Sequence, residues 1–147
     1  YDMEQMRELV NDPYSIPGVS DGGAHTKFMT FGAYPTEYLT HLARDNELVS
    51  LEHAHWALSA LPARAAGFKD RGHIAPGLPA DLVVYDLENL EMLPPHKAWD
   101  YPAGEWRQVR EADGYRWIVV NGDVTFEDGK CTGETPGLLL RHGGAPA

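Results

Sequence analysis

Residues 20–25, Ser-Asp-Gly-Gly-Ala-His, are the part of this chain best suited to chemistry. Asp21 follows a short apolar stretch and offers a single carboxylate that can accept and return a proton. Gly22 and Gly23 lack a side chain, so the backbone beside the carboxylate can approach a ligand closely. His25 could face a substrate or form a hydrogen bond that stabilises the loop. Because Asp-Gly pairs are ordinary turn formers, this segment alone leaves a purely structural role open.

His53 and His55 have the spacing of a His-x-His metal pair. Such a pair converges on one ion when it lies on a strand, where alternate side chains share a face. On a helix, at roughly 100° per residue, the two side chains point about 160° apart. Since both histidines fall inside a helical pattern that begins at Ser50, we do not expect them to bind one metal ion.

Helical patterns surround the Asp21 loop in the first half of the chain. Apolar residues recur at helical spacing from Met3 to Val10, and the pattern stops before Pro13 because the residue preceding a proline avoids helical backbone. A second helix is predicted from about Thr36 to Asp45. Ser50 can cap a further helix, and Pro62 can open a short one that Gly67 closes.

Strand patterns dominate the second half of the chain. Leu82–Tyr85 is an apolar run too short for a helix and predicts a strand. Residues 117–120 and 124–126 flank Asn121-Gly122, a pair that tolerates positive φ and suits a tight hairpin turn. Residues 87–115 show no clear period, and we expect them to form an irregular excursion.

The chain of 147 residues is acidic, with 12 basic and 22 acidic residues and a formal charge of −10. An anionic surface repels phosphate backbones and acidic lipid headgroups, which disfavours nucleic-acid and membrane-surface roles. No apolar run approaches the length of a membrane span, and the first residues lack the order of a signal peptide. These features predict a cytoplasmic protein. The single cysteine, Cys131, has no partner for an internal disulfide.

Six segments of the sequence carry a resemblance to one enzyme family; they are residues 18–25, 61–72, 74–86, 112–115, 119–122 and 128–137. In this order they resemble the C-terminal portion of metal-dependent amidohydrolases, specifically the N-acyl-D-amino-acid deacylase (D-aminoacylase-like) group. The Pro-Gly-x-x-Ala-Asp sequence at 76–81 is shared by many amidohydrolases. The Ser-Asp-Gly-Gly-Ala-His string and the Thr-Gly-x-x-Pro-Gly sequence near the end narrow the resemblance to the deacylase group.

The resemblance implies an α/β fold, a C-terminal fragment of a (β/α)8 barrel plus part of a small composite β-sandwich. A complete barrel needs about 250 residues, so this chain would form only its end. Residues 1–72 would contain the last barrel strand, placed at residues 16–19, then the catalytic loop and the following helices. Residues 73–147 would form the C-terminal part of the β-sandwich and a tail.

The resemblance also implies a function, the hydrolysis of linear amide C–N bonds in N-acyl-D-amino acids. One or two divalent ions, most often zinc, would lower the pKa of a bound water, and Asp21 would pass its proton to the leaving amine. Gly22, Gly23 and His25 would contact substrate, and Asp21 could be a weak metal ligand. The family's metal-binding histidines and bridging residue have no counterpart here. We therefore expect this chain by itself neither to hold zinc tightly nor to turn over.

Two other functions remain open. A cyclic-amide hydrolase of the hydantoinase or dihydroorotase kind also keeps an Asp after its last barrel strand. A stand-alone structural or binding module would give Asp21 no catalytic task. A barrel fragment has unpaired edges, so it should aggregate or form homo-oligomers, whereas a module should be a monomer that melts cooperatively.

Overall fold

The computed structural model describes residues 2–18, 20, 24–27 and 32–141. Helix α1, Met3–Asn11, begins after Asp2, whose side chain accepts hydrogen bonds from the backbone N–H groups of Glu4 and Gln5. It ends before Pro13, as the sequence predicts. Residues 16–18 form no strand, contrary to the expected barrel strand at 16–19, whose last residue lies outside the described residues. Pro17 removes a backbone donor there, which makes pairing unfavourable.

Two longer helical stretches follow. Helix α2, Tyr34–Glu37, continues directly into a π-helical segment, Tyr38–Asp45. Helix α3, Leu51–His55, is capped by Ser50, whose hydroxyl accepts the His53 N–H at 3.1 Å, as predicted. The second helical stretch begins with α3. It continues through the π-helical Trp56–Ala60 into α4, Leu61–Ala65. None of the described helices is long and apolar enough to cross a membrane.

The core of the molecule joins these helices to a residue from the second half of the chain. Its buried members are Tyr38, Leu39, Ala43, Val49, Ala54, Ala57 and Leu90. Leu90 is completely buried. Arg44 holds the backbone in place there, because its Nη1 donates to the carbonyl oxygens of Leu87 at 2.8 Å and Leu90 at 2.7 Å.

The described residues form eight strands: β1 Leu82–Tyr85, β2 Glu91–Met92, β3 His96–Ala98, β4 Arg107–Val109, β5 Ala112–Asp113, β6 Tyr115–Val120, β7 Asp123–Glu127 and β8 Lys130–Cys131. Four of them form an antiparallel sheet in the order β1-β6-β7-β8. The β6–β7 hairpin turns at Asn121 and Gly122, whose φ angles of 49° and 93° confirm the predicted tight turn.

Residues 91–113, which we call the arm, form a two-stranded antiparallel ribbon. Near its base β2 pairs with β5, and further out β3 pairs with β4. A short 3₁₀ turn, Pro102–Gly104, lies at its outer end. The expectation of an irregular excursion over residues 87–115 was therefore wrong. Its strands have only two or three residues each, too few to produce a readable alternation.

A largely buried arginine connects the helices to the sheet. Arg71 donates from Nη1 to Asp70 at 2.8 Å, and its Nε lies 2.7 Å from a carboxylate oxygen of Asp81. The Nε–H is not aligned with that oxygen, so the second contact is electrostatic. The other oxygen of Asp81 accepts the Asn121 N–H at 2.8 Å, and the Asn121 side chain donates to the Pro136 carbonyl. These residues belong to four of the segments that carry the family resemblance, 61–72, 74–86, 119–122 and 128–137. The four segments therefore contact one another at this point.

Candidate functional site

The loop singled out by the sequence is described at its first residue and at its C-terminal end. Ser20 and residues 24–27 are described, whereas Asp21, Gly22 and Gly23 lie outside the described residues. His25 is exposed and has a φ of 52°, in the left-handed region that a non-glycine residue adopts at a cost of about 1 kcal/mol. Its predicted role in contacting substrate remains a prediction.

The C-terminal end of this loop is bound to strand β4 of the arm. The backbone N–H of Gln108 donates to the carbonyl of Thr26 at 2.7 Å. The ammonium group of Lys27 lies 2.5 Å from a carboxylate oxygen of Glu105 and 5.7 Å from the centre of the Trp106 indole. The hydrogen bond from Lys27 lowers the pKa of the Glu105 carboxyl below its ordinary value. The Glu105 carboxylate is therefore charged at neutral pH.

The helix that follows the loop is bound to the arm and to β6. A carboxylate oxygen of Glu37 accepts from Arg110 at 2.8 Å. The Thr36 and Tyr115 hydroxyl groups lie 2.7 Å apart and share a hydrogen bond. Thr36 was expected near the start of the helix, but it lies within α2 and is buried, so its hydroxyl is available for this tertiary contact.

The outer end of the arm carries cations and aromatic rings close together. Lys97 places its ammonium group 4.4 Å from the centre of the Trp106 ring, within the range of a cation–π contact. Arg107 binds both carboxylate oxygens of Asp100 at 2.8 Å and lies 6.0 Å from the Tyr101 ring. The Arg107 hydrogen bond lowers the pKa of Asp100. The side chains at the outer end of the arm thus contact one another.

His53 and His55 contact different partners. The His53 ring lies 5.4 Å from the Trp56 ring, whereas Nε2 of His55 lies 2.5 Å from the hydroxyl of Tyr85. Their helical setting confirms the expectation that they diverge. Across the described part of the chain, no three His, Cys, Asp or Glu side chains are grouped so that they could hold a metal ion.

Two open grooves lie beside the arm. One, of about 550 Å³, is lined by polar side chains that include Arg44, Asp113 and Arg116. The other, of about 480 Å³, begins at Gly32 and Ala33 and extends over Met92, Trp117 and Phe126. Neither groove is lined by Ser20 or by residues 24–27, the described part of the Asp21 loop.

Sequence reasoning missed the residues of the arm that hold the loop. Lys27 and Glu105 are 78 positions apart, and neither belongs to a recognisable motif. Gln108 contributes only its backbone N–H, which any residue except proline could supply. No local pattern could have identified these contacts, because they depend on the pairing of distant segments.

Comparison with known proteins identifies relatives of the chain. The family model described as "Amidohydrolase family" matches residues 2–126. N-acyl-D-glutamate deacylase from Alcaligenes xylosoxydans xylosoxydans is 32% identical over 144 residues, which are 96% of this chain and 27% of that protein. D-aminoacylase from the same organism is 34% identical over 110 residues, which are 75% of this chain and 21% of that protein. The chain thus spans about a quarter of the length of these curated relatives.

Solved structures give a consistent result. A crystal structure of D-aminoacylase, described as defining a novel subset of amidohydrolases, aligns with 69% of this chain and 19% of its own, at 34% identity and a TM-score of 0.53. A second D-aminoacylase structure, described with a binuclear metal centre, aligns over the same shares at 32% identity and a TM-score of 0.53. The mixed α/β structure of this chain is therefore similar to one part of D-aminoacylase.

Proposed function

Because this chain belongs to the amidohydrolase family, we propose that it is the C-terminal part of a longer metal-dependent hydrolase that deacylates N-acyl-D-amino acids. The observation that carries the proposal is the alignment of 96% of the chain with N-acyl-D-glutamate deacylase. Residues 1–72 would contribute helices to the end of a (β/α)8 barrel, and residues 73–147 would contribute strands to a small β-sandwich. The separation of helices and strands between these two parts supports this division.

The described residues do not fit a metal centre by themselves. They contain no cluster of three candidate ligands, and His53 and His55 contact other aromatic side chains. We therefore place the ligands of one or two zinc ions mainly in the rest of the protein, with Asp21 as a possible weak ligand.

The reaction that we propose for Asp21 is a double proton transfer. As water attacks the amide carbonyl and a C–O bond forms, the carboxylate accepts a proton from the water. As the C–N bond breaks, the same group returns the proton to the leaving nitrogen, which releases a carboxylic acid and a free amino acid. A carboxylate held within hydrogen-bond distance of both atoms can perform both transfers. Gly22, Gly23 and His25 would contact the substrate.

The test uses the complete protein that contains this chain, purified with zinc and offered N-acyl-D-amino acids, their L-isomers and hydantoins. We expect release of D-amino acids, and we expect Asp21→Asn to lower kcat about 10³-fold because general acid–base catalysis is lost. Asp123→Asn is the matched control, since Asp123 is exposed at the start of β7. Cleavage of hydantoins alone would assign the protein to the cyclic amidases. No hydrolysis of either class would favour a structural module.

A further inference from the structure

The arm contacts the chain on both sides of residues 28–31. Before them, Gln108 and Glu105 bind the backbone of Thr26 and the side chain of Lys27. After them, Arg110 binds Glu37. Thr26 and Lys27 on one side, and Glu37 on the other, are therefore each held against the arm.

The backbone hydrogen bond has a defined place in the ribbon. In an antiparallel pair, each residue directs its N–H either toward the paired strand or away from it. Gln108 lies opposite Lys97 in the β3–β4 pair, and its N–H donates to Thr26 at 2.7 Å. Its N–H is therefore on the outer edge of β4. Thr26 extends the hydrogen bonding of this edge without displacing a bond of the ribbon.

The charged contact beside it is exposed but has several partners. Lys27 and Glu105 keep about half of their side-chain surface accessible, so the pair adds little to global stability. Lys27 also faces Trp106, the residue between Glu105 and Arg107, and Lys97 faces the same ring. A contact of this kind restrains where one loop lies without determining whether the protein folds.

From these contacts we propose that the arm is a positioning element for residues 24–27, the described end of the loop, and that Glu105 is its main positioning side chain. The inference rests on the proposed function, since it takes this loop to carry the catalytic Asp21. Asp21 is connected to Thr26 by a short stretch of chain, which spans at most about 18 Å when fully extended. We expect a displacement at Thr26 and Lys27 to shift Asp21, because few residues separate them in the sequence.

The experiment reverses the charges of the pair in the complete, zinc-loaded protein. We expect Glu105→Lys to lower kcat about tenfold, because small misplacements of a reacting group are costly. KM should change by less than about twofold, since Glu105 does not touch substrate in this proposal. The double variant Lys27→Glu with Glu105→Lys should return kcat to within about threefold of the unaltered protein.

Asp100→Lys is the matched control. It reverses the charge of an acid in another exposed ion pair of the arm, Asp100 with Arg107. Among the described residues of the loop, none forms an ion pair with Asp100. We expect its kcat to remain within about twofold of the unaltered protein. An equal loss of kcat in Asp100→Lys and Glu105→Lys, or an unchanged kcat in Glu105→Lys, would overturn the proposal.

Hydrogen exchange of the backbone supplies a readout that does not need activity. Amides of residues 20–33 should exchange faster in Glu105→Lys than in the unaltered protein, and the double variant should restore their protection. If the unaltered protein hydrolyses no N-acyl-D-amino acid, the proposed function fails, and the exchange result still decides whether the arm holds the loop. Unchanged exchange in Glu105→Lys would refute the positioning role.

Discussion

The backbone at Gly114, just before β6, lies against the backbone of Asn89 and of the buried Leu90. A Cβ atom added there would lie 2.6 Å from the Cα of Leu90 and 2.8 Å from the carbonyl oxygen of Asn89, and the φ of Gly114 is 96°. Both the space and the backbone conformation therefore require glycine. This explains in physical terms why glycine occupies the resemblance segment at 112–115.

We predict that Gly114→Ala lowers the free energy of unfolding by roughly 2–4 kcal/mol, through overpacking and left-handed backbone strain together. Gly129→Ala is the matched control, because Gly129 also has a positive φ of 74° but has open space around it. Its cost should be about 1 kcal/mol. Urea unfolding of both variants measures the difference. If the two variants lose the same free energy of unfolding, the close contact with Leu90 does not add to the cost of Gly114→Ala.

Some residues of the candidate site could be proposed from the sequence, and others could be found only from the structure. Asp21 could be proposed as a site residue from the sequence, because a carboxylate between a serine and two glycines is a recognisable motif. Lys27 and Glu105 were not identifiable, because their contact depends on the course of the arm. His25 is identifiable as part of the motif, and the structure adds its exposure and left-handed backbone to that prediction.

At the scale of elements, predictions succeeded where local chemistry determines the structure. The Ser50 hydroxyl caps α3, and Asn121-Gly122 turns a hairpin, because each residue satisfies a backbone requirement within a few positions. The arm could not be predicted, since β2 and β5 pair residues about twenty positions apart and prolines interrupt any alternation between them. Residues 16–18 form no strand because a strand needs a partner as well as apolar residues.

Carboxylates that accept hydrogen bonds from nearby side chains predict an acid-sensitive structure. The pKa of Asp86 is lowered from 3.8 mainly by a hydrogen bond from Asn89, that of Asp45 by Arg44 and that of Asp100 by Arg107. A carboxyl whose pKa is lower in the folded state stabilises that state above its unfolded pKa. The contribution is lost as the pH falls through the folded value.

We therefore expect stability to be nearly constant from about pH 7 to 5 and to decrease below about pH 4. Urea unfolding midpoints across this range measure the effect. High salt should weaken the dependence, because these pairs are exposed and screened by ions. A midpoint that rises as the pH falls below 4 would contradict the assignment of these carboxylates as stabilising.

At the scale of the whole molecule, the sheet leaves apolar side chains uncovered. Val83, Ile118 and Phe126 lie opposite one another across β1, β6 and β7, so they share one face. Val83 is 55% exposed and Phe126 is 39% exposed. Neighbouring strands or another protein surface would cover such a face in a stable assembly.

We predict that the 147-residue chain, produced alone, forms oligomers or aggregates at micromolar concentration, because this face and the sheet edges are open. Light scattering after size-exclusion chromatography measures the mass. Val83→Lys should shift the population toward monomer, whereas Glu127→Lys, on an exposed position of β7 that is already charged, should not. A monodisperse monomer that melts cooperatively would favour the stand-alone module.

The position of the thiol has a practical consequence. Cys131 is the single cysteine in these 147 residues, it is exposed, and it lies on β8 at one end of the sheet order. A maleimide fluorophore would label this one position without any engineered mutation. Its emission would then report directly on whatever approaches that border of the sheet.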